Sequence, residues 1–286
     1  LKMNLLRCPK NIRPYEYLTM FTEHFCAGYG LLDRAIAEIR GAIYELYDEV
    51  HAFDTSGGYD PYRANELTKN ITLADVYNKL KQKCDDLQKT RDSHGVEALN
   101  TYLTRLDMFN KPESTEYIMF CNRGGQSIED VLGEDDVTVI ESNGLPKNAQ
   151  SFFFVLMMDG MFRYAQGQGS KGFYSPGQYE TFIVLEEANT VLISSNSTGD
   201  DSNDSLKRVS EVIDQSRSYG LFIWTITQKI ASMPNSVIAN SGLVFIGRTT
   251  AKNDIDTALT MMGYGNGFHD ICLLYTSPSP RDRSVS

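Results

Sequence analysis

Two glutamates, a glutamine and an arginine stand at the ends of apolar runs in the second half of this 286-residue chain. FIVLEEAN (182–189) carries four apolar residues straight into Glu186 and Glu187, and a polar exit follows. LFIWTITQ (221–228) ends on Gln228, and LVFIG (243–247) runs into Arg248. In an α/β protein such runs are buried parallel strands, and ligands bind in the crevice beyond their carboxyl ends. Two carboxylates and an amide gathered there can hold a magnesium ion and aim a water at a phosphoryl group. Each residue also has a plainer reading. An acid after a strand often caps the next helix or faces solvent, Gln228 can be a satisfied loop amide, and Arg248 can be a salt-bridged rim residue. Their occurrence together at successive strand ends favours the nucleotide chemistry.

The elements that must position these residues are legible as periodicities. Leu32, Ile36, Ile39, Ile43, Leu46 and Val50 recur every three or four residues, which predicts one face of a long amphipathic helix. A loop rich in Gly, Asp and Pro follows over 55–70. Thr72 with Asp75 three residues on reads as an N-cap pair. Behind it, Val76, Tyr77, Leu80, Cys84 and Leu87 form a second stripe, and Val96, Leu99, Leu103 and Leu106 form a third. Three helices with no strand between them suggest a helical insert packed on a sheet edge. Stripes of this kind are core rather than cofactor sites.

Beyond them, 117–121 and 137–140 read as short strands, and 149–164 reads as a helix. GQGSKGFYSPGQ (167–178) reads as a loop, and SSNSTGDDSNDS (194–205), which has no apolar residue, as a surface loop. A helix carries Leu206, Val209 and Ile213 and ends at Gly220, a C-cap glycine. The strand 221–227 is followed by a short helical link through Pro234, the strand 243–247, and a helix with Ile255, Leu259 and Met262. Strand, helix, strand, helix in this order predicts an α/β fold with a right-handed, mostly parallel sheet.

Composition narrows the function classes. The formal net charge is −10, so the chain is no general nucleic-acid coat, although a few basic pore residues could still touch DNA. No run approaches the roughly 18 apolar residues of a membrane span; FFFVLMM (152–158) stops at Asp159. Cys8, Cys26, Cys84 and Cys121 fit neither a zinc knuckle nor a disulfide ladder and read as buried thiols of a reducing cytoplasm. His24, His51, His94 and His269 form no ligand-spaced pair, which argues against a histidine metal site. No GxxxxGK[ST] phosphate loop occurs; Lys171 in GQGSKG (167–172) is followed by glycine and has no apolar strand before it.

Taken as a set, FIVLEEAN, SRSYGLFIWTITQ (216–228) and NSGLVFIGRTT (240–250) resemble the HerA/FtsK class of P-loop motor ATPases. Within that class the nearest resemblance is to the branch of HerA-like helicases and type IV secretion or conjugation ATPases. MNLLRCP (3–9) is similar to the family's segment after its second core strand. DVTVIESNGLPKNAQ (136–150) is similar to the strand and helix before its Walker B motif. The resemblance implies a RecA-like core with a mostly parallel sheet and a helical insert, truncated at both ends. Residues 1–271 would be a partial motor domain, with the insert at 16–110 and the Walker B to arginine-finger half at 117–271. It implies that Glu186 holds the magnesium shell through water, that Glu187 orients and deprotonates the attacking water, and that Gln228 senses the γ-phosphate. Arg248 would be an arginine finger acting across a subunit boundary, with Arg217 a weaker candidate for such a role. ATP and Mg would be the cofactors. A homo-hexamer acting on DNA, or within a secretion or conjugation complex, would be the assembly, placed in the cytoplasm or at the inner face of a membrane.

Glutamate at 186, where the family usually has aspartate, and Asn189, where many relatives carry histidine, are departures from the pattern. They keep open a non-catalytic RecA-like scaffold or adaptor. The phosphate loop is expected upstream of Leu1. The tail CLLYTSPSPRD (272–282), with the residues to 286, resembles the translation of a sequencing-library adapter and is set aside from the fold.

Overall fold

In the computed structural model, the described residues are 2–31, 33–54, 58, 60–132, 137–142, 144–169, 181–192, 211–213 and 215–263. Over the described residues the chain is a mixed α/β protein dominated by helices, with a two-stranded parallel sheet. It divides into two compact units, Leu1–Phe182 with Asp200–Phe222, and Ile183–Gly199 with Ile223–Ser286.

The first unit is built on helices α1 (Pro14–Gly28), α2 (Asp33–Glu49), α3 (Pro61–Thr68), α4 (Leu73–Lys89), α5 (Ser93–Leu106), α6 (Thr115–Phe120) and α7 (Lys147–Gly169). The three expected amphipathic helices form as α2, α4 and α5. They pack on one another and, through α1, on α7: α1 meets α2 and α7, α2 meets α4, and α4 meets α5. The buried stripe of α2 is Ala35, Ile39, Ala42, Ile43 and Tyr47, which leaves Ile36, Leu46 and Val50 only half-buried. At the start of α4 the Asp75 carboxylate accepts from the backbone N–H of Thr72 at 2.8 Å and from its hydroxyl at 2.8 Å. This is the reach-back half of a capping box, and it satisfies a donor the helix itself cannot.

An aromatic cluster forms the centre of this unit. Phe21, Phe25 and Tyr29 gather round Phe152 of α7, with the Phe25 and Phe152 rings edge-on at 5.3 Å between centroids, and Phe109 packs on Phe25 and Tyr29. Gly28 permits the approach, since a Cβ there would stand 2.6 Å from the Phe152 Cβ. Below the rings, His24 Nε2 lies 2.9 Å from the Asp159 carboxylate. Asp159 also accepts from Arg163 Nε at 3.2 Å, so the carboxylate buried between α1 and α7 is paired.

The segment before α1 is also part of the core. Met3, Leu5, Leu6 and Cys8 are fully buried. Tyr17 and Tyr47 donate to the carbonyls of Leu5 and Leu6, each at 2.6 Å, and Met3 and Asn4 bridge to Gln126 and Cys121. A polar web holds the exit of the segment. Asn65, 1 % exposed, accepts from Arg7 Nε at 3.0 Å and Nη2 at 2.6 Å, and its amide donates to the Cys8 carbonyl at 2.7 Å and to Glu129 at 3.2 Å. Glu129 also accepts from the Lys10 backbone at 3.0 Å, while its Oε2 is buried with no partner among the described residues.

Three strand expectations are corrected. Residues 117–121 lie largely in α6, because the Ser114 hydroxyl accepts from Tyr117 N at 3.1 Å and starts a helical turn there. Residues 137–140 and 243–247 join no ladder among the described residues. Val137 and Val139 are 79 % and 77 % exposed, and Leu243 and Phe245 73 % and 77 %. A β-type run needs a partner edge and a covered face to become a strand, and neither run has them among the described residues. The helix expected at 149–164 is the longer α7, which takes in Gly167 to Gly169 of the expected loop. The rest of that loop, the segment 194–205, Leu206, Val209 and the tail lie outside the described residues.

Candidate functional site

The two strands whose tips carry chemistry do pair. β1 (Thr181–Leu185) and β2 (Leu221–Thr225) run parallel: Thr181 N donates to the Gly220 carbonyl at one end, and Ile226 N to the Leu185 carbonyl at 2.8 Å at the other. Gly220 starts β2 with φ +73°, a left-handed turn that glycine adopts freely. Parallel pairing sends both carboxyl ends the same way, so the turn after β1 meets the turn after β2.

The meeting is made of side chains. Gln228 Nε2 donates to Glu187 Oε1. Thr227 Oγ1 donates to Asn189 Oδ1 at 2.7 Å and accepts from Lys229 N at 3.1 Å. Ala188 N donates to the Ile226 carbonyl at 2.9 Å, which ties the start of α8 (Ala188–Val191) to the end of β2. Glu187 itself is in the left-handed region, φ 51° and ψ 43°. A non-glycine residue there costs on the order of 1 kcal/mol and persists only where its surroundings hold it. Here the parallel tips and the Gln228 amide supply the restraint.

The sequence-predicted residues therefore divide. Glu187 and Gln228 are brought into contact. Glu186 precedes them in the same turn with its side chain exposed. Arg248 is exposed in the segment 243–250, with no ion pair among the described residues. Arg217 begins a single 3-10 turn, Arg217–Tyr219, and its side chain lies outside the described residues. Thr227 is not singled out by the sequence, and Asn189 stands out there only as a departure from a family pattern. The available signal was adjacency: Thr227 precedes Gln228, and Asn189 follows Glu187 by two.

Behind the tips, α9 (Asn235–Ala239) and α10 (Lys252–Met261) complete the second unit. Asp254, buried in α10, accepts from Ala231 N at 2.9 Å and so fixes the 3-10 turn Ile230–Ser232 that continues from Gln228.

Other chemistries have less to work with. The described cysteines, Cys8, Cys26, Cys84 and Cys121, are buried and free. Burial pushes the Cys26 and Cys121 thiols up to about 12 and the Cys8 thiol well above its ordinary value, with Glu129 adding to the shift. These thiols stay protonated and are poor nucleophiles and ligands. No group of three or more His, Cys, Asp and Glu among the described residues could hold a metal ion, and no helix there is long and apolar enough to cross a membrane.

No protein-family model matches the chain, and no curated protein matches it by sequence. The class that its own geometry defines is a mixed α/β protein whose parallel strand tips bring a strained glutamate against a glutamine.

Proposed function

We propose that this chain is the hydrolytic half of a RecA-like motor ATPase of the HerA/FtsK class, working as a hexamer on DNA or within a secretion or conjugation complex. The observation that carries the reading is the Glu187–Gln228 hydrogen bond at neighbouring parallel strand tips, with Glu187 held in a left-handed backbone. Strain at a strand tip supported by neighbouring side chains is characteristic of functional positions.

In this reading Glu187 accepts the proton of the attacking water, and Gln228 holds the carboxylate and reports the γ-phosphate from the adjacent strand. Glu186 contributes to a magnesium shell through water. Its exposed carboxylate fits an ion that arrives with phosphate oxygens rather than one caged by protein, which is how magnesium is usually held. Bound with ATP, the ion would neutralise charge building on the phosphates. Arg248, exposed on this subunit, would reach the nucleotide of its neighbour, with Arg217 as a second candidate. The reading requires a GxxxxGK[ST] phosphate loop in the working assembly.

A second reading has its own observations. A chain with no phosphate loop and a sheet of two described strands also suits a RecA-like scaffold or adaptor without turnover. One substitution separates the two. In a protein that joins this chain to its phosphate loop, Glu187→Gln should abolish ATP hydrolysis while nucleotide binding persists. Hydrolysis at the wild-type rate in that variant defeats the ATPase assignment. The chain by itself should turn over no ATP.

A further inference from the structure

Gln228 can meet Glu187 only if the turn after β2 holds one shape, and a single hydroxyl sits at the centre of that turn. Thr227 Oγ1 accepts the backbone N–H of Lys229 at 3.1 Å, which fixes the chain on the far side of Gln228. Its own hydrogen is then directed to Asn189 Oδ1 at 2.7 Å, two residues beyond Glu187. The hydroxyl thus spans the two strand tips and brackets the Glu187–Gln228 pair from behind. With the Asn189 oxygen facing Thr227, its NH2 group faces the opposite side.

From this geometry we infer that Thr227, acting with Asn189, is a positioning residue that holds Gln228 against Glu187. The inference deepens the ATPase reading and rests on it for its catalytic meaning. The strut itself is a property of this chain alone. The Thr227–Asn189 bond links the two turns through side chains, beside the Ala188 N–H to Ile226 carbonyl bond that joins them through the backbone. Gln228 is exposed and would otherwise sample several rotamers, so the turn must supply its direction.

The test uses variants matched in shape. Thr227→Val removes the hydroxyl at nearly constant volume, Thr227→Ser keeps it, and Asn189→Ala removes the acceptor from the other side. In the chain as it stands, the side-chain amide signals of Gln228, assigned by their loss in Gln228→Ala, are followed by proton–nitrogen NMR. They should move towards free-amide positions in Thr227→Val and in Asn189→Ala, by the same amount in the double variant, and return in Thr227→Ser. Unmoved signals in Thr227→Val, or additive shifts in the double variant, overturn the strut.

In the protein that carries its phosphate loop, Thr227→Val should lower kcat about tenfold with KM unchanged, the size expected for losing one orienting hydrogen bond, with recovery in Thr227→Ser. A rise in KM alone, or no rescue by serine, counts against a positioning role. The two ideas fail separately: moved amide signals with no hydrolysis by the wild-type protein uphold the strut and remove the ATPase reading.

Discussion

Replacing Asn65 by alanine should be among the most damaging changes available to the first unit, although Asn65 is a small polar residue. Its oxygen takes two N–H groups of Arg7, and its amide reaches the Cys8 carbonyl and the Glu129 carboxylate, with the side chain almost wholly buried. Alanine leaves all of these without that partner. A buried neutral group left unpaired costs about 1–3 kcal/mol, and a bond to a charged group is worth about 1.5–3 kcal/mol. Arg7 keeps the Gly125 carbonyl and Asp130, and Glu129 keeps Lys10 N, which caps the loss. The expected net destabilisation is about 3–5 kcal/mol, the range for breaking a buried charged network from one side. Urea unfolding followed by far-ultraviolet circular dichroism reads it, since most of the helix belongs to this unit. Asn65→Asp is the control. It preserves an oxygen for Arg7 but turns a second one towards the Cys8 carbonyl and Glu129, so it too should destabilise. A midpoint for Asn65→Ala equivalent to less than about 0.5 kcal/mol, the level of an ordinary surface change, would show that the web does not hold the segment.

Glu129→Gln should change how stability depends on pH. Burial raises the Glu129 pKa above its ordinary 4.5, so the folded chain holds that proton more tightly than the unfolded one. Its contribution is complete below 4.5 and is lost as pH rises through the folded value. Asp130 runs the other way: burial pushes it up, but the Ser127 N–H and hydroxyl and then Lys10 and Arg7 outweigh this and hold it below 3.8. The wild type should therefore gain on Glu129→Gln as pH falls from neutral towards 4.5, and parallel urea midpoints across that range would contradict it. Gly28→Ala forces a Cβ against Phe152 and should cost about 1–3 kcal/mol by overpacking; an unchanged thermal midpoint would disprove the close contact. Trp224, the sole tryptophan, is 52 % exposed, so its emission should be red-shifted and readily quenched by acrylamide. Blue-shifted, protected emission would mean that this face of β2 is covered.

The parts of this architecture that sequence made legible are those in which side-chain period and burial agree. Val76, Leu80 and Cys84 mark the buried face of α4 in both; the apolar runs at 182–185 and 221–225 became the paired strands, but not the buried ones expected, since Phe182, Val184 and Trp224 are exposed. Residues 117–121 misled because tyrosine, isoleucine and phenylalanine suit either a strand or one helical turn, and Ser114 decides between them by capping. Parallel pairing brings the turns that carry Glu187 and Gln228 to the same end of the sheet. The Thr227–Asn189 bond depends on rotamers and on the shape of two turns, which spacing does not specify. The Arg7–Asn65–Glu129 web was the least visible part. Its members lie 58 and 64 residues apart in sequence, and polar residues in loops ordinarily signal solvent rather than core.

The seating of Met3 and Asn4 against Cys121 and Gln126 sets a delay during biosynthesis. More than a hundred residues must leave the ribosome before these backbone groups find their partners, roughly 6–25 s at ordinary elongation rates. For that interval Leu5, Leu6 and Cys8 can already engage Tyr17, Tyr47 and Asn65, while Met3 and Asn4 await their backbone partners.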